Sequence, residues 1–325
     1  MYDSRHLKRM RSVLPDRVQC PVVGCSRIVE RQKRVFLREE RFRCAEHSIY
    51  ISPSTYDHED YRDNLFLDDD EDCNVLEQML RVKRETGRLS RERSEDALTF
   101  NVFRTLELEG LLPSVVSRLS GSQVLRASLS YWSFSLSSGT VHPLLMAARK
   151  AFGEVEERGS EPDIIVETDS TLVLIEAKLD SRNETTPSRP WVLETYRRAE
   201  KNWYDRVFQA GPVLVAREHK LYQLMRLWLL GTWMANRAGK GFVLVSLTPA
   251  SRDEDLVSRF GPHILASEGR AFGHFTWEEI REEVRPAAVA GSPVARRLVE
   301  YLDHKTLGYD RVGQLRLAFD AQESR

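Results

Sequence analysis

Long apolar runs are missing from this 325-residue chain. Its most apolar helix candidate, Leu221 to Ala235, carries Gln223 and Arg226 and falls short of the ~20 residues that span a bilayer. A membrane role is therefore not expected. The stretch from Met1 to Arg17 is basic and lacks an apolar segment, so no secretory signal is expected and a cytoplasmic location is the default. Net charge is also scarce, at −1, which leaves no global field to draw in a polyanion. Four cysteines cannot make a disulfide scaffold in a chain this long. No internal repeat is visible. What remains is an ordinary composition, 41% hydrophobic and 30% charged, at a length that suggests about two domains.

The few cysteines are unevenly spaced. Cys20 and Cys25 have four residues between them, Cys44 and His47 have two, and eighteen residues separate the pairs. Two ligand pairs at the ends of a short β excursion, with Arg34 to Leu37 and Phe42 strand-like, suit a structural, tetrahedral Zn²⁺. Gly24 fits the tight turn of a knuckle. Cys73 is the alternative fourth ligand and His58 a weaker one. Four protein ligands would leave no open position for catalysis. Charge in this region is lopsided, with twelve Lys and Arg against five acids between Met1 and Arg43. Such a module is either a phosphate-contact surface or a solvated face balancing the acids from Asp57 to Asp72. That acidic stretch, which includes Asp68 to Asp72, reads as a weakly ordered connector. A helix over Asn74 to Val82 and a basic run from Arg81 to Arg93 follow.

Beyond it, Ser94 is an N-cap with Glu95 and Asp96 in the first turn. Leu98, Val102, Phe103 and Leu106 form an apolar stripe, and Gly110 stops the helix. Glu95 lies on the stripe's side of that helix, where capping alone would also explain it. Gln123 to Leu136 alternates as one long strand, and Leu144 to Phe152 reads as a short helix. Asp180 to Pro190 is a loop, Trp191 to Gln209 a charged helix, and Phe242 to Leu247 a buried strand. Thr276-Trp277-Glu278-Glu279 opens a helix with a capping box that runs to Val284. Residues 286–325 read as a small helical appendage bounded by Pro286.

The centre of the chain is Ser160 to Asp180. Ile164 to Val166 and Leu172 to Ile175 are β-branched runs around Asp169, Ser170 and Thr171, the pattern of a buried hairpin. Glu176 and Lys178, two apart on a strand, project to one face. A turn on 169–171 brings Asp163 towards them. Taken singly, Asp163 is an ordinary turn residue and Glu176 with Lys178 a weak ion pair. Buried together, charges persist only when paired or bound to a metal.

This order of elements, with Pro162-Asp163 and Glu176-Ala177-Lys178 on consecutive strands, resembles the PD-(D/E)xK nuclease superfamily over roughly residues 91 to 250. The resemblance implies an α/β, restriction-endonuclease-like core in the order αβββαβ, a central mixed sheet flanked by helices, with the zinc-ribbon-like domain added at the N-terminus. It implies Asp163 and Glu176 as Mg²⁺ (or Mn²⁺) ligands, with the Ala177 carbonyl as a further one, and Lys178 as the residue that handles the attacking water. It adds Glu95 from the first helix and Gln223, in Tyr222-Gln223-Leu224, from the helix after the hairpin. Arg226, one turn on, is either a phosphate contact or a helix-surface charge.

The expected organisation is a zinc-ribbon-like module over 1–60, a linker with a short helix over 61–90, a nuclease-like domain over 91–285 and the appendage over 286–325. The expected function is metal-dependent hydrolysis of nucleic acid, DNA before RNA, as an endonuclease in defence or DNA processing. The competing expectation is a silent scaffold that binds nucleic acid or protein. Oligomeric state stays open, a homodimer included.

Overall fold

The computed structural model describes residues 1–33, 35–67, 70–83, 88–154, 159–252, 255–265 and 267–319. Arg34, Asp68, Asp69 and residues 84–87 of the basic run lie outside the described residues. In chain order the elements are β1 (Arg17–Gln19), β2 (Ile28–Glu30), β3 (Arg43–Cys44), β4 (Ile49–Ile51), β5 (Tyr56–His58), α1 (Asp70–Val82), α2 (Glu95–Leu108) and α3 (Leu112–Ser120). Then come β6 (Ala127–Tyr131), β7 (Phe134–Ser135), β8 (Thr140–Val141), α4 (Pro143–Ala151), β9 (Ile164–Thr168), β10 (Thr171–Ala177), α5 (Val192–Asn202) and α6 (Tyr222–Ala238). The chain closes with β11 (Gly241–Thr248), α7 (Leu256–Phe260), β12 (Arg270–Thr276), α8 (Trp277–Val289), α9 (Pro293–Asp303), β13 (Thr306–Tyr309) and β14 (Leu315–Leu317).

Two compact units divide the chain. The first comprises Met1–Asp68, Glu85–Glu109 and Arg281–Arg325; the second comprises Asp69–Arg84 and Gly110–Ile280. The linker read over 61–90 contributes to both, and the helix carrying Glu95 falls in the first unit rather than with the hairpin.

The first unit is built from small sheets, β1 with β2, the three strands β3-β4-β5, and β13 with β14. The beginning of the acidic stretch is structured, contrary to expectation: β5 pairs with β4, and a 3₁₀ turn over Tyr61–Asn64 is capped by Asp60. Asn64 donates to the carbonyls of Leu89 and Arg91. Among the described residues no strand covers 35–39. As read, Ser94 caps α2, accepting from the amide of Ala97 at 3.1 Å. The C-terminal region holds the β13–β14 hairpin besides α9, so it is more than a helical appendage.

The second unit is a mixed α/β layer around a seven-stranded sheet ordered β12-β11-β10-β9-β6-β7-β8. The hairpin is present: β9 and β10 pair antiparallel, with Leu172 opposite Glu167 and Ile175 opposite Ile164. β10 and β11 run parallel, as do β11 and β12, so the connections cross over through helices. β10 is buried along its whole length, which is why it reads as a continuous apolar run instead of an alternating one. The long strand expected over Gln123 to Leu136 breaks at Trp132 and Ser133, whose φ angles are 44° and 79°, into β6 and β7. The helix expected over Trp191 to Gln209 ends early: Glu200, Lys201 and Asn202 are left-handed, and a 3₁₀ turn follows. α8 runs through Pro286 instead of stopping before it.

α6 covers the sheet beside β10 and β11, and at Gly231 its backbone lies tight against it. A Cβ there would stand 2.2 Å from the Phe242 ring and 2.8 Å from Leu174 Cδ1. Alanine ordinarily gains ~1 kcal/mol over glycine inside a helix, but overpacking here costs about 1–3 kcal/mol. Gly231→Ala is expected to lower the denaturant midpoint; an unchanged or raised midpoint would show that Phe242 yields freely.

Candidate functional site

In the first unit, Cys20, Cys25, Cys44 and His47 converge, their ligand atoms all within 4.8 Å of one another. Cys25 Sγ lies 3.8 Å from Cys44 Sγ, and His47 Nδ1 lies 3.7 Å from Cys20 Sγ and 3.4 Å from Cys44 Sγ. A tetrahedron with ~2.3 Å metal–sulfur bonds has sulfur edges of about 3.8 Å, so the four can hold one metal ion such as zinc. Gly24 supplies the left-handed turn between the first pair at φ 82°. Lys8 Nζ ties that knuckle, donating to the carbonyls of Cys20 at 2.8 Å and Cys25 at 2.6 Å. Burial pushes the Cys20 and Cys25 thiols up from their ordinary range, so binding a cation there releases protons. The alternative ligands fall elsewhere. Cys73 is on α1 in the second unit, and the His58 ring stacks on Tyr2 with centroids 5.9 Å apart.

In the second unit, the end of β10 gathers the hairpin residues. Glu176 is 1% exposed and Lys178 8%. The Lys178 ammonium donates to Glu176 Oε1, and Gln223 Nε2 donates to the same oxygen at 2.6 Å. Asp163 Oδ2 accepts the Ala177 amide at 2.8 Å, which fixes its carboxylate beside the Glu-Ala-Lys backbone. The structure thus brings Asp163, Glu176, Lys178 and Gln223 together.

Their placement depends on residues the sequence did not single out. The Trp277 indole donates to the Lys178 carbonyl at 2.8 Å, while the Lys178 amide donates to the Leu247 carbonyl at 2.8 Å. Trp277 itself is placed by the capping box, in which Glu279 and Thr276 exchange bonds of 2.9 and 3.1 Å. That motif was legible as a helix start, but its reach to Lys178 was not. α6 has no side-chain cap of its own at Leu221. Thr185, from the loop after β10, substitutes, its hydroxyl accepting the Gln223 amide at 2.8 Å.

Arg226 also lies near Gln223, and both line a cavity of about 210 Å³ with Ser160, Glu161, Thr185, Tyr222 and Leu227. Its guanidinium is engaged, however, with Nε donating to Glu154 Oε1 at 3.1 Å. Glu154 also accepts from Tyr196 at 2.8 Å and from the Ser160 hydroxyl at 2.8 Å. Burial alone would push the Glu154 carboxyl up, but Arg226 and Ser160 hold it below the ordinary range. A buried carboxylate that loses its cation is destabilising on the order of 3 kcal/mol. Arg226→Ala is therefore expected to lower the melting temperature, whatever it does to catalysis; an unchanged melt would show that the Arg226–Glu154 pair contributes little to stability.

Glu95 is the first residue of α2 and half-buried, in the first unit. Comparison with family models, curated proteins and solved structures gave no match.

Proposed function

We propose that the second unit is a Mg²⁺-dependent nuclease that hydrolyses phosphodiester bonds, with DNA as the expected substrate ahead of RNA. The observation that carries this reading is the convergence of Asp163, Glu176, Lys178 and Gln223 at the end of the β9–β10 hairpin. It supports the finer, restriction-endonuclease-like reading of the mixed sheet, and it uses residues of the second unit alone.

The donor set suits the ion. Asp163 and Glu176 with the Ala177 carbonyl are all oxygen, the ligand type Mg²⁺ or Mn²⁺ takes, with water completing the shell. When bound there, the ion would supply charge neutralisation at the phosphoryl group and a more acidic water. The protein's own groups do the rest. Gln223 and Lys178 aim the Glu176 carboxylate by bonding one of its oxygens, leaving the direction of the other set. Lys178 brings a positive charge and transferable protons to the place where negative charge develops. In the reaction, a water oxygen adds to phosphorus and the bond to the leaving sugar oxygen breaks. Protons pass from that water to solvent and to the leaving oxygen.

The second reading, a binding module on the same scaffold, has no use for a buried Glu–Lys–Gln constellation. Purified protein incubated with single- and double-stranded DNA and RNA, in Mg²⁺, Mn²⁺ or EDTA, decides between them when run beside Lys178→Ala. Cleavage that needs both the cation and Lys178 supports the nuclease. Wild type and variant equally inert, or equally active, on every substrate would end it. Endonucleolytic action in defence or DNA processing is the setting this chemistry suits, and a circular substrate tests for internal cleavage directly.

A further inference from the structure

The net charge of −1 conceals a local concentration of cations on the first unit. Two adjoining cavities there share Arg31, Gln32, Lys33 and Val35. The smaller, about 370 Å³, is lined by Arg31, Lys33, Arg91 and Arg93 and, among the described residues, by no acidic one. The larger, about 900 Å³, adds Arg17 and Arg41 with Asp16 and Glu30. Arg41 is paired with Glu30 at 3.4 Å and with Glu39 at 2.8 Å, and Arg91 stands 3.9 Å from Asp57. Arg31 and Lys33, which face both cavities, have no acidic partner among the described residues.

Apolar groups are interleaved with these charges. Val35 is 67% exposed and Leu37 39%, and Phe36 lies under the Arg91 guanidinium at 6.0 Å. The loop is held in place from inside: the buried Gln32 amide donates to the Ile51 carbonyl at 2.9 Å, and its oxygen accepts the Leu37 amide at 2.5 Å. Surface-exposed valine and leucine beside the cations of Arg31 and Lys33 make a poor solvated face. They suit a ligand with anionic groups along a chain and flat apolar faces between them.

We propose that this face binds a single strand of nucleic acid, its phosphates on Arg31 and Lys33 and its bases against Val35 and Phe36. A strand tracked by cations, with bases laid on apolar side chains, is the general mode of single-strand binding. The choice of nucleic acid over an acidic peptide rests on the nuclease reading, but the binding needs no cleavage. The test is fluorescence anisotropy in EDTA with a labelled oligothymidine of about 20 nucleotides, enough to cover one such site, using the full chain, Arg31→Ala/Lys33→Ala, and Arg198→Ala in the second unit as the control. Lys33→Glu, at an exposed position without an acidic partner, is the variant least able to disturb folding.

The double variant is expected to bind at least ~10-fold more weakly. Its slope of log affinity against log salt should be shallower by about 1.4, the loss of two single-strand phosphate contacts. Lys33→Glu should weaken binding in the same direction, with zinc content unchanged. Arg31→Ala/Lys33→Ala and Lys33→Glu variants that bind no worse than Arg198→Ala overturn the proposal. So does a duplex of the same length that binds more tightly through the same residues, or polyglutamate that binds while the strand does not. A strand that binds through Arg31 and Lys33 in a protein that cuts nothing leaves this site standing and removes the nuclease reading.

Discussion

Lys178→Ala protein is expected to cleave nucleic acid at least ~100-fold more slowly than wild type in Mg²⁺, within the range that one positioned proton-handling group contributes. The loss should fall on the single-turnover rate, with substrate binding little changed, because the ammonium points at Glu176 inside the site and not along a groove. The control is stability. Glu176 is 1% exposed, and removing a cation from a buried carboxylate costs on the order of 3 kcal/mol. The melting temperature must therefore be measured with the rate, and the assay run well below it. Gln223→Ala gives a second reading. It leaves Lys178 in place but frees the Glu176 oxygen it orients, so a smaller loss is expected, on the order of 10-fold. If Lys178→Ala retains wild-type rates while folded, the pairing with Glu176 is structural and the nuclease reading of this site falls with it.

The parts of this site that could be read from sequence are those that depend on neighbours along the chain. The β-branched runs around Asp169 to Thr171 specify a hairpin, and its period of two places Glu176 and Lys178 on one face. Gln223 was picked out only by the resemblance, through its Tyr222-Gln223-Leu224 setting on the helix after the hairpin. Distant contacts were less legible. Nothing near Thr185 announces that it caps α6, and nothing near Trp277 announces its bond to Lys178. Left-handed backbone at Trp132 and Ser133 has no glycine to mark it. It is held by the Trp132 amide donating to the Asp163 carbonyl at 3.1 Å and by Arg149 donating to the Ser133 hydroxyl at 2.7 Å, so a strand that alternates well is nonetheless broken. β12 escaped because Gly273 and His274 interrupt its apolar pattern. It joins the sheet by parallel pairing to β11, which local pattern does not encode. α3 is a different case: Leu112, Val115, Val116 and Leu119 are all buried at helical spacing, a signal that was present to be read.

Cys20→Ser/Cys25→Ser protein is expected to lose about one equivalent of zinc and, with it, the fold of the N-terminal module. The core around the cysteines is small: Leu7, Val18, Val22, Val29, Ile49, Ile51 and Tyr56 pack directly with Cys20, Cys25 and Cys44. Strands of two or three residues bury too little apolar surface to offset the ordering of the loops between them. A structural zinc contributes about 10–16 kcal/mol of binding free energy in small modules, so the metal supplies what this core lacks. Amide exchange localises the effect. Protection over β1, β3 and β4 should collapse in the double variant or under a strong chelator, while β9, β10 and β11, buried in the large core of the second unit, should stay protected. Acid should act in the same direction as the chelator, because binding requires the buried thiols to lose protons that falling pH restores. His47→Cys keeps four ligands and should retain the metal, whereas Cys73→Ser, which is not one of the four clustered ligands, should change nothing. Zinc content unaltered by the double cysteine substitution would show that the four side chains meet without holding an ion.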